Sequence, residues 1–475
     1  MATAMWLAGG RASALDKLSP SGPPSANVVL LSDIHFNPLP RGCPAAEAKQ
    51  AVLTMAAKDA NKWNAADFRL QGEATPLGED SEYPLLSSAL RAAHAAAPKA
   101  RLVVVPGDFV VHHFHEHFRA CLPDATDVDF TRFESKTLSF LILEIGRNFP
   151  KAQIVPVLGN NDSDQGDYTL PSAEMLKVVG TSWQSAVDGK HKEARADFTS
   201  FSAGGYYTAQ VPGWKHLRVA ALNSIAWSPK FRDGGKPTAA VGDQELDWLQ
   251  SVLNSAQKAG DQVIVVGHVP PGLDAYATRN AGGRKIVTMY EECGEQGASA
   301  TCRDFGHAVP NLLQRFSPVI VMGIFGHTHQ NEFRIVGDAK VAVPIKVVPS
   351  ISPVLDNNPS FLIVDADDKF AWRDYTVWVL PLSEAKKITE WRTEYSFDSA
   401  YQEPAWGLSS LRNLVEKLND DPPIRKDFFL RMGAGNPAVE VPTRWQEAYI
   451  CGLSHMTPEG VLPCVATAQM GIPLP

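Results

Sequence analysis

Nearly uninterrupted runs of Val, Ile and Leu recur along the chain at Asn27 to Leu31, Arg101 to Val105, Gln153 to Leu158, Gln262 to Val266 and Val319 to Phe325. A strand with one wet face alternates apolar and polar residues, and these runs do not, which predicts strands buried on both faces. Between them the period lengthens. Ala45 to Ala60, Leu85 to Ala97, Asp129 to Phe149 and Asp243 to Ala259 carry helical patterns, and the alternation of β with α predicts an α/β architecture. A further set of closely spaced segments rich in Tyr, Trp and Val suggests a second sheet with antiparallel pairs: Gly205 to Val211, Leu217 to Asn223, Asn331 to Val336, Ile345 to Ser352, Phe361 to Asp365 and Phe370 to Val379. Arg41 to Ala100, mostly helical around a Gly- and Pro-containing loop at Gln71 to Pro84, reads as an insertion or cap. From about Ser383 polar helix-like segments broken by Pro404, Pro422, Pro423 and Pro437 predict a small helical C-terminal subdomain spanning 383–475.

Each apolar run stops at a residue able to bind a metal. The stops are Asp33-Ile34-His35, Gly107-Asp108, Gly159-Asn160-Asn161-Asp162, Gly267-His268 and Gly326-His327-Thr328-His329. Loops at the ends of buried strands are where sites gather. A phosphate ester resists attack because its own oxygens repel nucleophiles, and two neighbouring cations can neutralise that charge and deprotonate a bridging water to hydroxide. Such a centre needs one shared carboxylate, for which Asp108 is the natural bridge. Asp33 and His35 then reach one cation, with His329 returning to it, while Asn160, His268 and His327 supply the other. Mixed nitrogen and oxygen donors without sulfur suit Zn, Mn or Fe rather than Ca.

The 475 residues exceed a typical single core, so a large domain with a smaller appendage is expected. Forty-four Lys and Arg against 52 Asp and Glu leave a formal charge of -8 with no basic block, which argues against a nucleic-acid polymer as partner. No apolar stretch approaches the ~20 residues that span a bilayer, leaving at most peripheral membrane contact. Cys293 with Cys302, and Cys451 with Cys464, form two close pairs, and Cys43 with Cys121 completes an even set; three disulfides are expected, and with them a secreted or periplasmic location. Residues 1–26 read either as a truncated leader, with Ala12-Ser13-Ala14 as a small-residue cleavage site, or as a disordered tail.

The order of motifs resembles the calcineurin-like metallophosphoesterases, whose pattern D-x-H, G-D, G-N-H-[D/E], G-H and G-H-x-H is matched at every metal-ligand position. The resemblance narrows to the acid sphingomyelinase and acid sphingomyelinase-like phosphodiesterase branch through Gly267-His268-Val269-Pro270-Pro271-Gly272, His112 four residues after Asp108, Gly204-Gly205-Tyr206-Tyr207 leading to Leu222-Asn223, and the terminal Cys451 to Cys464 segment. It implies a two-sheet α-β-β-α sandwich over 27–382 with its helical insertion near 41–100, a C-terminus closed by a disulfide, two divalent ions, zinc first among them, and hydrolysis of phosphodiester or pyrophosphate bonds outside the cytosol. Substrates of that class include a phospholipid head group, a nucleotide or polyphosphate.

One position departs from the pattern. Where the family usually has Gly-Asn-His, Asn161 stands in place of the histidine that protonates the leaving group or steadies the transition state. Related endopolyphosphatases also carry Gly-Asn-Asn-Asp and pair it with a histidine four residues after the bridging Asp. Asn161 can donate a hydrogen bond to a phosphoryl oxygen but cannot serve as a general acid. His112, within the run His112-His113-Phe114-His115-Glu116-His117, is the compensating candidate, and Asp162 joins Asn161 and His112 as a catalytic candidate. Trp227, Tyr276 and Tyr290 are candidates for a substrate groove. An endopolyphosphatase, a nucleotide or phosphomonoester hydrolase, and a degenerate binding module are the alternatives to a phosphodiesterase.

Overall fold

The computed structural model describes residues 26–467 apart from 73, 190–194, 283, 284, 294–298, 300 and 440. Residues 1–25, nearly all of the segment read as a leader or tail, lie outside the described residues. The strands are β1 (Ala26–Leu30), β2 (Leu102–Pro106), β3 (Gln153–Val157), β4 (Ala196–Asp197), β5 (Tyr207–Gln210), β6 (Leu217–Ala221), β7 (Gln262–Val266), β8 (Ile320–Phe325), β9 (Glu332–Gly337), β10 (Ala342–Val347), β11 (Ser360–Ala366), β12 (Trp372–Val379) and β13 (Arg392–Ser396). They form one sheet of order β13-β12-β11-β1-β2-β3 and a second of order β4-β5-β6-β7-β8-β10-β9. β1, β2 and β3 run parallel, as do β6, β7, β8 and β10.

The continuous apolar runs have a direct cause. On β7, Ile264 and Val266 enter the core that also holds Val103 and Val105 of β2, so the two sheets face each other there. The alternate residues Val263 and Val265 point the other way, onto Leu249 and Leu253 of the helix Ala240–Ala259 and Leu312 and Leu313 of the helix Phe305–Arg315. Both faces of the strand are dry, so no polar position interrupts it. Helices outside two facing sheets make the expected α-β-β-α sandwich.

Three expectations change in the tertiary structure. The Tyr- and Trp-rich segments do not form a sheet of their own. β11 and β12 extend the first sheet antiparallel from β1, whereas β5 with β6, and β9 with β10, make the antiparallel margins of the second. Residues 41–100 are less an insertion than part of a flanking layer, because Leu85, Leu86, Ala89 and Leu90 of the helix Tyr83–Ala96 belong to the main core. The segment from 383 likewise begins as sheet: β13 pairs antiparallel with β12, and Leu411, Leu414 and Phe428 from the helices beyond it join the same core. β13 reads Arg-Thr-Glu-Tyr-Ser and is largely open to solvent at an edge, so no apolar run betrays it.

The cysteines pair as expected, Cys43 with Cys121, Cys293 with Cys302 and Cys451 with Cys464. Among the described residues no helix is long and apolar enough to cross a membrane.

Candidate metal centre

The chain end of each central parallel strand opens toward one place. β1 delivers Asp33 and His35, β2 delivers Asp108, and β3 delivers Asn160; from the facing sheet β7 delivers His268 and β8 delivers His327 and His329. Backbone bonds hold these loops in register: Asp33 N–H donates to Gly107 O at 3.2 Å, His35 N–H to Asp108 O at 3.0 Å, and Gly326 N–H to His268 O at 3.0 Å. Asp33, His35, Asp108, His327 and His329 have φ of 48°, 43°, 52°, 74° and 60°. L residues seldom occupy the left-handed region, and the cost of order 1 to 3 kcal/mol each is tolerated where the surroundings over-determine the backbone, typically at functional sites.

The side chains gather into two clusters that share one oxygen. In the first, His35 Nε2 lies 3.0 Å from His329 Nε2, and His329 Nε2 lies 3.5 Å from Asp33 Oδ1. In the second, His268 Nε2 lies 3.0 Å from Asn160 Oδ1 and 3.2 Å from His327 Nδ1. Asp108 Oδ2 stands 3.5 Å from His35 Nε2 and 3.2 Å from His268 Nε2, between the two. Gly107 is needed for this approach: a Cβ there would stand 2.6 Å from His268 Nδ1, and its φ of +88° already excludes most side chains.

These residues fit a pair of divalent cations by their own chemistry. The Nδ1 atoms of His35 and His329 are buried without a partner among the described residues while the Nε2 atoms face each other, so at most one of the two neutral rings can place its proton on an acceptor, whereas an ion between the Nε2 lone pairs would use both. Burial lowers His329 to about 3 and holds His35 and His327 well below the ordinary imidazole value, leaving neutral ligand rings. Burial also raises Asp33 to about 7, as expected for a carboxylate without its counter-charge. For Asp108 burial works upward too, but His268 and His35 outweigh it and hold the carboxyl well below its usual range. His268 shows the reverse balance: burial opposes its charge, yet Asp108 lifts it to about 9. The second cluster attracts positive charge even to an imidazole.

Around the ligands sits a shell that the motifs announce only in part. His268 Nδ1 donates to Pro106 O at 2.7 Å, which turns Nε2 inward. Asn160 Nδ2 donates to Asp167 Oδ1 at 2.7 Å, which aims its Oδ1 at the second cluster. Tyr168 Oη meets His327 Nε2 at 3.1 Å and leaves Nδ1 for the cluster. Asn161 uses its backbone N–H and Nδ2 on Asp108 at 2.9 and 3.0 Å. Asp162, placed among the catalytic candidates, accepts from the backbone N–H groups of Gly159, Phe109 and Val110 at 2.8, 2.8 and 3.1 Å, so its oxygens hold the β2 and β3 loops together. His112 stacks on the His35 ring with centroids 4.1 Å apart, and its Nδ1 is 2.9 Å from Asp80 Oδ1. Burial opposes charge on His112, but the bond to Asp80 prevails and raises it above the ordinary value.

Asp80, Asp167 and Tyr168 were not foreseen. Each lies in an irregular loop with no recognisable spacing to a ligand; the only local hint is the Gly and Asp content of those loops. His115, by contrast, faces Asp127 at 3.3 Å on a partly exposed helix. Trp227 and Tyr290 are core residues and Tyr276 is 67 % exposed, so they do not make one groove.

The family model described as Calcineurin-like phosphoesterase matches residues 26–331. The chain belongs to that family. Among its relatives, the acid sphingomyelinase-like phosphodiesterase 3b of Mus musculus is 24% identical over 405 residues, 81% of this chain and 80% of that protein. The cyclic GMP-AMP phosphodiesterase SMPDL3A of Homo sapiens is 25% identical over 361 residues, covering 72% of this chain and 71% of the relative. Sphingomyelin phosphodiesterase A of Dictyostelium discoideum is 27% identical over 231 residues, 47% of this chain and 34% of its own length. Membership of that family makes the chain a hydrolase of phosphoric esters, similar to acid sphingomyelinase-like phosphodiesterases and with residues suited to two divalent metal ions.

Proposed function

We propose that the chain is an exported two-metal phosphodiesterase whose centre is built from Asp33, His35, Asp108, Asn160, His268, His327 and His329. The observation that carries this reading is the position of Asp108 Oδ2 between His35 and His268, where one carboxylate can serve both clusters. When bound, two transition-metal ions, zinc foremost with Mn or Fe as alternatives, would neutralise phosphoryl charge and raise the acidity of the attacking water. The protein's own part is to orient and to move a proton. Asp167 and Tyr168 orient Asn160 and His327, Asp162 keeps the β2 and β3 loops in register, and Asn161 steadies Asp108. His112, held by Asp80 on one ring nitrogen, keeps the other for a leaving group as general acid. The disulfides support an extracytosolic location.

The substrate we favour is a phosphodiester, as for the relatives named above, over phosphomonoesters and nucleotides. Gly159-Asn160-Asn161-Asp162 favours polyphosphate as the second reading. Against it, the cleft beside His112 and Asn161 is lined by Glu116, Asp127, Glu134, Asp164 and Asp167 with no Lys or Arg, a poor surface for a polyanion. Elemental analysis should find about two transition-metal ions per chain. A panel of phosphocholine lipid, dinucleotide, nucleotide and polyphosphate should then show fastest turnover on a diester, and faster shortening of polyphosphate would overturn the choice. Replacing His112 by Gln should slow alkoxide leaving groups by roughly 10² to 10⁴ and nitrophenyl esters far less, with metal content unchanged. Equal losses on both substrate types would remove His112 from the acid role.

A further inference from the structure

The cleft of about 440 Å³ beside the metal centre, walled by the helix Asp127–Asn148 and the loop after β3, contains a carboxyl group that no described residue satisfies. Glu134 is 0 % exposed, lines this cleft, and neither of its oxygens has a hydrogen-bond partner. An ionised carboxylate buried this way needs donors or a cation, and a protonated one needs an acceptor for its own hydrogen; among the described residues neither stands within hydrogen-bond distance. Its neighbours are acids. Asp162 has already committed its oxygens to backbone N–H groups. Asp164 accepts one bond on each oxygen, from Thr131 Oγ1 at 2.7 Å and from Ser172 N–H at 2.8 Å, and so keeps a lone pair free on both.

We propose that Glu134 and Asp164 bind a hard divalent cation of the calcium class in this cleft, separate from the imidazole-rich centre. The donors are oxygens only, which such ions prefer, and a cleft of this size admits the several waters that complete their coordination. Of the other lining carboxylates, Asp127 is engaged by Arg119, Asp167 by Asn160, and Glu116 is exposed at the rim, which leaves the Glu134 and Asp164 pair as the inner face of the site. Imidazole, the ligand that holds transition metals, reaches the same cleft in His112, His113 and His115, of which His112 is held by Asp80 and His115 by Asp127. The two kinds of ion would therefore partition by ligand softness.

The test uses full-length protein already loaded with transition metal. Calcium is titrated in, with bound ion read by equilibrium dialysis and stability by thermal unfolding. About one Ca²⁺ should bind per chain and raise Tm, and magnesium, which dehydrates reluctantly, should bind more weakly. Glu134→Gln should weaken calcium binding by roughly tenfold or more while transition-metal content is retained. No calcium bound by the native chain, or equal binding by native chain and variant, overturns the site. Should Glu134→Gln fail to fold, Asp164→Asn carries the same expectation, and native-like calcium binding by that variant overturns the proposal as well.

Discussion

In the proposed two-metal centre, Asp108 is the side chain on which most depends. Its Oδ2 is the atom common to both ligand clusters, and its Oδ1 accepts the Asn161 backbone N–H at 2.9 Å. Replacing it by Ala should empty both clusters and abolish turnover, whereas His115→Ala, which loses a contact to exposed Asp127, should leave both metal content and rate near native. Elemental analysis beside initial rates decides this, and comparable losses in the two variants would contradict the assignment. The residues that aim the ligands behave differently from the ligands. Asp80, Asp167 and Tyr168 act through a neighbour, and none stands at a fixed offset from a motif, which is why only the folded chain reveals them.

At the scale of elements, the site depends on how closely two loops from opposite sheets approach. Gly107, after β2, has no room for a methyl group: the nearest atoms would be His268 Nδ1 at 2.6 Å, His268 Cγ at 2.8 Å and Gly159 Cα at 2.9 Å. Gly107→Ala should push His268 out of the second cluster, lower metal content and cost about 1 to 3 kcal/mol, as overpacking of a dense site does. Denaturant unfolding together with metal analysis checks both parts, and a fully loaded variant of native stability would refute the steric argument. The long helix of the same layer starts where its sequence says it should. Thr126 and Asp129 form a capping box at the N-terminus of Asp127–Asn148, a signal readable without any tertiary contact.

Two properties belong to the whole molecule. The disulfides close loops of 78, 9 and 13 residues, and loop closure of this kind stabilises by ~2 to 4 kcal/mol per bridge, so reduction should lower Tm. Mass spectrometry without reductant should recover the three pairings, and free thiols in oxidised exported material would refute the extracytosolic reading. The second property is a pH dependence from Glu245, which is fully buried and raised by desolvation to about 8 even though one oxygen accepts the Asn223 N–H at 2.6 Å. Its folded value lies above the unfolded one, so the folded chain holds an extra proton between roughly pH 4.5 and pH 8. Stability from this group is complete below that window and falls as pH rises through it, by at most ~1.4 kcal/mol per pH unit. Glu245→Gln should flatten the Tm profile there, and an unchanged slope would show that other groups set it.

What the sequence determined by itself was whatever short-range pattern encodes. Apolar runs without alternation marked the central strands because both faces of those strands are dry, and a ligand at the end of each run marked the metal centre because parallel strands deliver their C-terminal loops to one place. The division between sheets was not encoded that way. β11 and β12 look like β5 and β6 in composition, yet they join the opposite sheet, β11 beside β1 and β12 beyond it, since strand partnership is set by contacts between distant residues. The same holds for the edge strand β13, whose short polar sequence gives no local signal. It holds again for Glu134, an ordinary helical glutamate in the sequence. Only burial beside Asp162 and Asp164 turns it into an unpartnered carboxyl held well above its usual range, because solvation is a property of the assembled surroundings and not of the residue.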